Sequence, residues 1–364
     1  MTLRLLALTP KPKGLSPGQR FRLEQWAPHL TERGVAIDFV PFESPRLTEL
    51  LYQPGQKVSK AGWTLLDFAR RAGQLKNRHN YDAVIVYREA ALIGPGIYER
   101  LFAWSGTPLF FDFDDAIWLP NQISSVNGIF SKLHFWGKTA ATCKLSTGVI
   151  VGNEYLARYA RGHNQNVFVV PTSIELGDYP VQPEYSPAEP FTICWSGSLS
   201  TLQHLEHART AIERLAKKRK VVVRVICNQA PTRPFEGADN VFVRWTEKGE
   251  AETIGKAHAG IMPLPDDEYT RGKCGLKALQ FMACGLPVVI SPVGMNSELV
   301  DSGHNGLLAR TDDEWVEALD RLATSRDLRR SLGAAGRSTV EQRYSAKIAA
   351  SLFADAVKSA LRSR

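Results

Sequence analysis

Two hydrophobic patterns alternate along this chain. Short, nearly unbroken apolar runs occur at 3–8, 83–87, 109–113 and 147–151, and again at 192–195, 221–226, 240–243, 260–262 and 287–290. Each ends in small or polar residues and is followed by segments with apolar positions three and four apart. Continuous runs of this kind predict strands buried on both faces, and their alternation with helices predicts an α/β chain with two open parallel sheets. The last third is helical by spacing at 312–324, 326–343 and 345–361.

The alternation breaks in the middle, where Pro171, Pro180, Pro183, Pro187 and Pro190 cluster. Such a stretch predicts an extended linker. The expected domains are therefore 1–172 and 191–344, joined by 173–190, with a final helix over 345–364 free to pack back on the first. A chain of 364 residues suits two domains rather than one core. Segment 61–78 places Trp63, Leu65, Leu66, Phe68, Ala69, Ala72 and Leu75 beside Arg70, Arg71, Lys76 and Arg78. It reads either as a basic amphipathic helix for a membrane surface or as an ordinary packed surface helix.

Composition narrows the classes. Apolar residues make up 44% and charged residues 23%, as in globular proteins, which argues against disorder. The apolar opening at 3–8 is too short for a signal peptide and is stopped by Pro10 and Pro12. No stretch approaches the roughly 18 apolar residues of a membrane span. The five cysteines, Cys143, Cys194, Cys227, Cys274 and Cys284, lack paired or zinc-like spacing, which fits a reducing cytoplasm and no structural metal. A formal charge of +8 favours anionic partners. The basic residues do not interleave with aromatics as in a nucleic-acid module, so no nucleic acid is expected.

The strongest chemical signal is the loop Arg271-Gly272-Lys273-Cys274-Gly275 leading into 276–283. Amides at a helix start attract phosphate, glycines admit close approach, and Lys273 and Lys277, four apart, would share a face. A glycine-capped helix with two solvated lysines is the plainer alternative. Ser196, Gly197 and Ser198 follow the first strand of the second domain, where parallel sheets bind ligands; there the plainer alternative is helix capping by Ser200 or Thr201.

In the first domain, Asp112, Asp114 and Asp115 gather at a strand end. Clustered acids can shift one another's pKa or accept sugar hydroxyls; a capping role for Asp115, an arginine partner for Asp114 and a weak metal site are the other readings. The segment 9–22 forms a basic loop with Gly14, Arg20 and Arg22 on a candidate anion-facing side, and it lacks the dinucleotide glycine signature. Trp118, Phe130, Phe135 and Trp136 could stack on a sugar or sit near a lipid-linked acceptor, or be buried.

At these residues the chain resembles the retaining glycosyltransferases of family 4, over nearly its whole length. The resemblance is most specific at 282–294 (Met-Ala-Cys-Gly-Leu-Pro-Val-Val-Ile-Ser-Pro-Val-Gly), 298–308 and 332–337. The pairing of the 271–275 loop with Asp114-Asp115-Ala116 is similar to a bacterial subgroup. The resemblance implies a GT-B fold of two facing Rossmann-like domains, a donor site in the second, an acceptor site in the first and a last helix crossing back.

The family's two glutamates would fall at Gly272 and Gln280, neither acidic, and its usual Arg and Lys pair is replaced by 198–201. Gln280 is then expected to meet the donor ribose through its amide, and Lys273 or Arg271 to supply the missing charge. The implied reaction is transfer of a sugar, with retention, from a UDP or GDP sugar to a hydroxyl of a glycan, lipid-linked or small-molecule acceptor. It needs no metal or other cofactor. Lys273, with Asp114 and Asp115 positioning the acceptor, carries the catalytic expectation; Ser196, Gly197, Ser198, Arg271, Gly272, Cys274, Gly275, Lys277 and Gln280 complete the donor side. A cytoplasmic enzyme of polysaccharide biosynthesis, peripheral on the inner membrane face, fits this reading. A nucleotide-sugar-binding protein without transfer, or an epimerase on the same fold, are the competing ones.

Overall fold

The apolar runs become the central strands of two parallel sheets. The computed structural model describes residues 2–51, 53, 55–119, 135, 137–181 and 189–363. Phe130, Trp136, Pro183 and Pro187 lie outside them. The chain divides into one unit of Met1–Thr172 with Ala346–Arg364 and a second of Ser173–Ser345.

In the first unit, β1 (Leu3–Thr9), β2 (Val35–Pro41), β3 (Ala83–Tyr87), β4 (Leu109–Phe113), β5 (Gly148–Val151) and β6 (Val167–Val169) lie in the order β2-β1-β3-β4-β5-β6. Every pairing is parallel. The β3, β4 and β5 side chains are buried on both faces, as covered parallel strands require. The edge strands β2 and β6 are only half-covered, Asp38 interrupts β2 and β6 is only three residues long, so the sequence pattern missed them. The final helix, Ala346–Arg362, belongs to this unit: Phe353 meets Trp26 at 5.5 Å between ring centroids, and Lys358 donates to the carbonyl of Arg33.

The second unit orders β7 (Phe191–Ser196), β8 (Val221–Cys227), β9 (Asp239–Arg244), β10 (Ala259–Met262), β11 (Val288–Ile290) and β12 (Leu307–Leu308) as β12-β11-β10-β7-β8-β9. Its core joins Ile193, Trp195, Ile212, Leu215 and Val223 to Trp315 and Leu319 of the helix Asp312–Thr324. That helix starts on a capping box: Thr311 accepts from the amide of Glu314, and Glu314 accepts from the amide of Thr311.

One expectation is corrected here. Residues 173–181 are not a free linker, because Ile174 bridges Ser345 and Tyr179 is buried against the second unit's polar residues.

Each sheet reverses direction of build once. The chain steps from β1 outward to β2 and returns to β3; likewise it leaves β7 for β8 and β9 and returns to β10. Such switch points open a crevice beyond the strands' carboxyl ends, where open α/β sheets bind ligands. The crevices fall at β1/β3 and at β7/β10.

Candidate functional site

At the β7 end, the fully buried Ser196 hydroxyl donates to Glu250 Oε1 at 2.6 Å. Gly197 follows because no side chain fits: a Cβ there would lie 2.2 Å from the Trp195 ring. Ser198 caps the 3-10 helix Leu199–Ala208, its amide donating to Thr201 Oγ1 at 3.0 Å. The cap is thus Ser198, one of the residues assigned to the donor, rather than Ser200 or Thr201.

The 271–275 loop is also more structured than a glycine-rich helix start. Asp267 caps the short turn Glu268–Arg271, and the amides of Gly272 and Lys273 donate back to Tyr269 and Thr270 carbonyls. Gly275, at φ +66°, then opens a separate helix, Leu276–Ala283. A first helical turn has no internal partners for its N–H groups. The helix-start amides are therefore those of 276–278, not those of Gly272 and Lys273. The break also separates the two lysines, which do not share a helix face. Lys273 Nζ sits over the Tyr269 ring at 4.5 Å, while Lys277 Nζ reaches back to Ser196. Arg271 pairs with Asp266 at 2.7 Å on the surface, Cys274 is buried, and Gly294 lets the loop pass, since a Cβ there would strike the Arg271 carbonyl at 2.4 Å.

Lys277 is the centre of this unit's polar cluster. Its ammonium lies 2.9 Å from Gln280 Oε1, 3.4 Å from Glu250 Oε1 and 3.4 Å from Ser196 Oγ, with 24% of the side chain exposed. Gln280 is fully buried and donates to Tyr179 Oη at 2.6 Å and Glu250 Oε2 at 2.7 Å. Both ends of its amide are thus occupied, so it holds Lys277 and Glu250 rather than presenting itself to a ribose. Glu250 and Tyr179 were missed by sequence reasoning. Glu250 stands 30 residues from Gln280 on the helix Glu247–Gly255, with no motif around it. His204 was missed too: buried, with neither ring nitrogen hydrogen-bonded, it is pushed down to about 4 by burial and then by Lys273.

The first unit's cluster has a different character. Arg22 is a core residue, not an anion ligand. It grips Asp112 through Nε and Nη2 at 2.6–3.0 Å and the Val170 carbonyl at 2.8 Å, with both side chains fully buried. Burial raises the Asp112 carboxyl above its ordinary value, and Arg22 opposes that rise. The basic loop 9–22 is pinned as well: the Gly14 amide donates to Glu24 at 2.9 Å, and Gln19 donates to the same carboxylate at 2.6 Å. Arg20 is nearly buried and lies against Phe21.

Asp114 and Asp115 share Arg88, another residue that sequence reasoning missed although it directly follows β3. Arg88 reaches Asp114 Oδ1 and Asp115 Oδ2 at 2.6 Å each, and Tyr87 Oη donates to Asp114 at 2.9 Å. Arg88 adopts φ +57°, a left-handed conformation uncommon outside glycine and concentrated at functional sites. Burial, with the Asp114 charge adding to it, drives the Tyr87 phenol well above 10, so it stays a neutral donor. Gly18 passes close over this group, where a Cβ would lie 2.3 Å from Tyr87 Oη. Because Asp112 is taken by Arg22, the three acids do not form one set. Among the described residues no group of three His, Cys, Asp or Glu stands ready for a metal ion. Trp118 stacks on Tyr159 at 3.8 Å, and Phe135 is half exposed.

Comparisons with known proteins bear on both units. Residues 190–325 match the family model described as "Glycosyl transferases group 1". A D-inositol 3-phosphate glycosyltransferase of Stackebrandtia nassauensis is 48% identical over 62 residues, covering 16% of this chain and 14% of that protein. The matched stretch thus spans about a seventh of that relative's length. Among solved structures, the sucrose-phosphate synthase of Thermosynechococcus elongatus superposes with a TM-score of 0.70 at 16% identity, covering all of both chains. HepE of Anabaena, solved with UDP-glucose, gives 0.65 at 14% identity over 98% of this chain and 100% of that one. The chain therefore has the GT-B fold of two Rossmann-like units, and within the second unit residues 190–325 are similar to the group 1 glycosyl transferase family.

Proposed function

We propose that this protein transfers a glycosyl group from a nucleotide-diphosphate sugar to an acceptor hydroxyl, with retention of configuration. The observation that carries the reading is Lys277, a partly exposed ammonium fixed by Ser196, Glu250 and Gln280 at the β7/β10 switch point. Beside it lie the Gly197–Ser198 turn and the first-turn amides of 276–278. A diphosphate in this place would meet a lysine, a helix amino end and a backbone turn that admits no side chain. The UDP-glucose bound to HepE supports a nucleotide-sugar donor of that class.

Departure of the diphosphate builds negative charge on its terminal oxygen, and preorganised donors stabilise that charge without reorganising. Lys277 is preorganised by its three oxygen partners, and Lys273 adds a second cation nearby in sequence on the Tyr269 ring. Gln280 contributes by orienting Lys277. The leaving phosphate can take the acceptor proton, so Asp114 and Asp115 need only position the acceptor, through Arg88 and the neutral Tyr87 phenol. These charged groups do the work that a metal does in other transferases.

The test is to incubate the full chain with UDP- and GDP-sugars and measure diphosphonucleoside release together with melting temperature. One donor should raise the melting temperature, because a ligand that binds only the folded state stabilises it, and should be slowly hydrolysed or transferred. A raised melting temperature without release would favour a binding protein, and conversion of one nucleotide sugar into another would favour an epimerase.

A further inference from the structure

The helix Lys57–Asn77 in the first unit is built inside out. Its inward side carries Thr64, Asp67 and Arg71, all buried. Asp67 accepts from the amide and hydroxyl of Ser44 at 2.8 and 2.9 Å, and Arg71 donates to the carbonyls of Val40 and Thr9 at 2.9 and 3.0 Å. Polar tethers, not an aliphatic seam, hold this helix to the carboxyl ends of β1 and β2.

The aliphatic residues face out. Val58, Gly62, Leu65, Ala69, Ala72 and Lys76 follow the i, i+4, i+7 rhythm of one helix stripe, and all are exposed. Val58 is 87% exposed, Leu65 69% and Leu66, beside the stripe, 59%. The helix Ile97–Trp104 lies alongside, joined through the Phe68–Tyr98 ring contact at 5.8 Å. It adds a second exposed row of Ile97, Leu101 and Trp104, the last 71% exposed. Exposed cations accompany the rows, Lys57 and Lys76 on the first helix and Arg100 on the second, while Arg70 is turned to Asp67 and the Pro41 carbonyl. The carboxylates on these two helices, Asp67 and Glu99, are buried.

We propose that this two-helix face docks on the surface of an anionic phospholipid bilayer. Apolar side chains and Trp104 beside exposed cations, with no exposed acid on the two helices, match acyl chains beneath a negatively charged headgroup layer. A stripe from Val58 to Ala72 is about 22 Å long at helical rise, enough to lie along the interface. A second copy of the chain fits poorly, since a two-fold contact would bring the same cations face to face.

The test is co-sedimentation of the full chain with vesicles of phosphatidylcholine alone and of phosphatidylcholine mixed with phosphatidylglycerol. The chain should sediment with the anionic vesicles, release as salt is raised, and show a blue shift of tryptophan emission on binding. Leu65→Glu/Leu66→Glu should weaken binding about tenfold or more, and Lys57→Glu/Lys76→Glu should weaken it while flattening the salt dependence. All four positions are exposed, so melting temperature should hold. If the leucine pair lowers it, the lysine pair decides. Absence of binding to anionic vesicles at low salt, or unchanged binding in the lysine pair, would overturn the proposal. So would a dimer that the leucine pair converts to monomer, which would make the occupant a second copy. None of these readouts depends on sugar transfer.

Discussion

The two polar clusters sit at equivalent places, the switch point of each sheet, yet they are satisfied to different degrees. In the first unit Arg22 and Asp112 are sealed from solvent and saturate one another, and Arg88 is shared between two carboxylates. In the second, the Lys277 ammonium has a single carboxylate at 3.4 Å, two neutral oxygens and a partly open side. A cation whose charge is already matched holds structure together. One that is held in place but undercompensated still has charge to offer an incoming phosphate. Under the proposed function, that difference gives Arg22 a folding role and Lys277 the anion chemistry.

The largest effect should come from breaking the sealed pair. Arg22→Ala leaves the Asp112 carboxylate buried and alone, and should destabilise the first unit by about 3–5 kcal/mol in denaturant unfolding. Next in size, Lys277→Ala should slow transfer about a hundredfold, the scale for one lost electrostatic donor, with melting temperature little changed. If Arg22→Ala instead lost activity at full stability, the comparison would be reversed. Glu250→Gln keeps the hydrogen bond from Ser196 but removes the charge that anchors Lys277. It should raise the KM for donor about tenfold, a shift of about 1.4 kcal/mol, while leaving the fold intact.

The smallest predicted effect is on pH dependence. Burial, then Lys273 and His207, hold His204 at about 4; burial, then Arg329 and Arg224, hold His258 there too. Unfolded histidines take up protons near 6.5, whereas these two resist until about 4. The unfolded chain therefore binds more protons across that window, and stability falls as pH drops from about 6.5 to about 4. His204→Phe should flatten part of that fall in a melting series, and an unchanged series would remove His204 from the account.

Much of the fold was legible because covered parallel strands are apolar at nearly every position: 83–87, 109–113 and 221–226 could be read directly as β3, β4 and β8. The half-covered edge β2 is interrupted by Asp38, β6 spans only Val167–Val169, and β12 has only Leu307 and Leu308. The candidate site was half legible. Ser196, Gly197 and Lys277 stand at strand and helix ends, where the pattern points. Glu250 and Tyr179 reach the site only through tertiary packing across many residues, and nothing local marks them. The 271–275 loop was read as one helix start because glycine and lysine suggest one. The Asp267 cap divides it, and with it the roles of Lys273 and Lys277. The helix 57–77 shows the same limit from the other side: its apolar stripe was visible, but its direction is set by Asp67 binding Ser44 and Arg71 binding the carboxyl ends of β1 and β2.

The most direct test of the central claim is calorimetric titration of UDP and GDP into the full chain and its Lys277→Ala variant. The account predicts that one nucleotide binds the unaltered chain and binds the variant about a hundredfold more weakly, equivalent to about 2.7 kcal/mol. Equal affinity for both proteins, or no binding of either nucleotide to the unaltered chain, would contradict it.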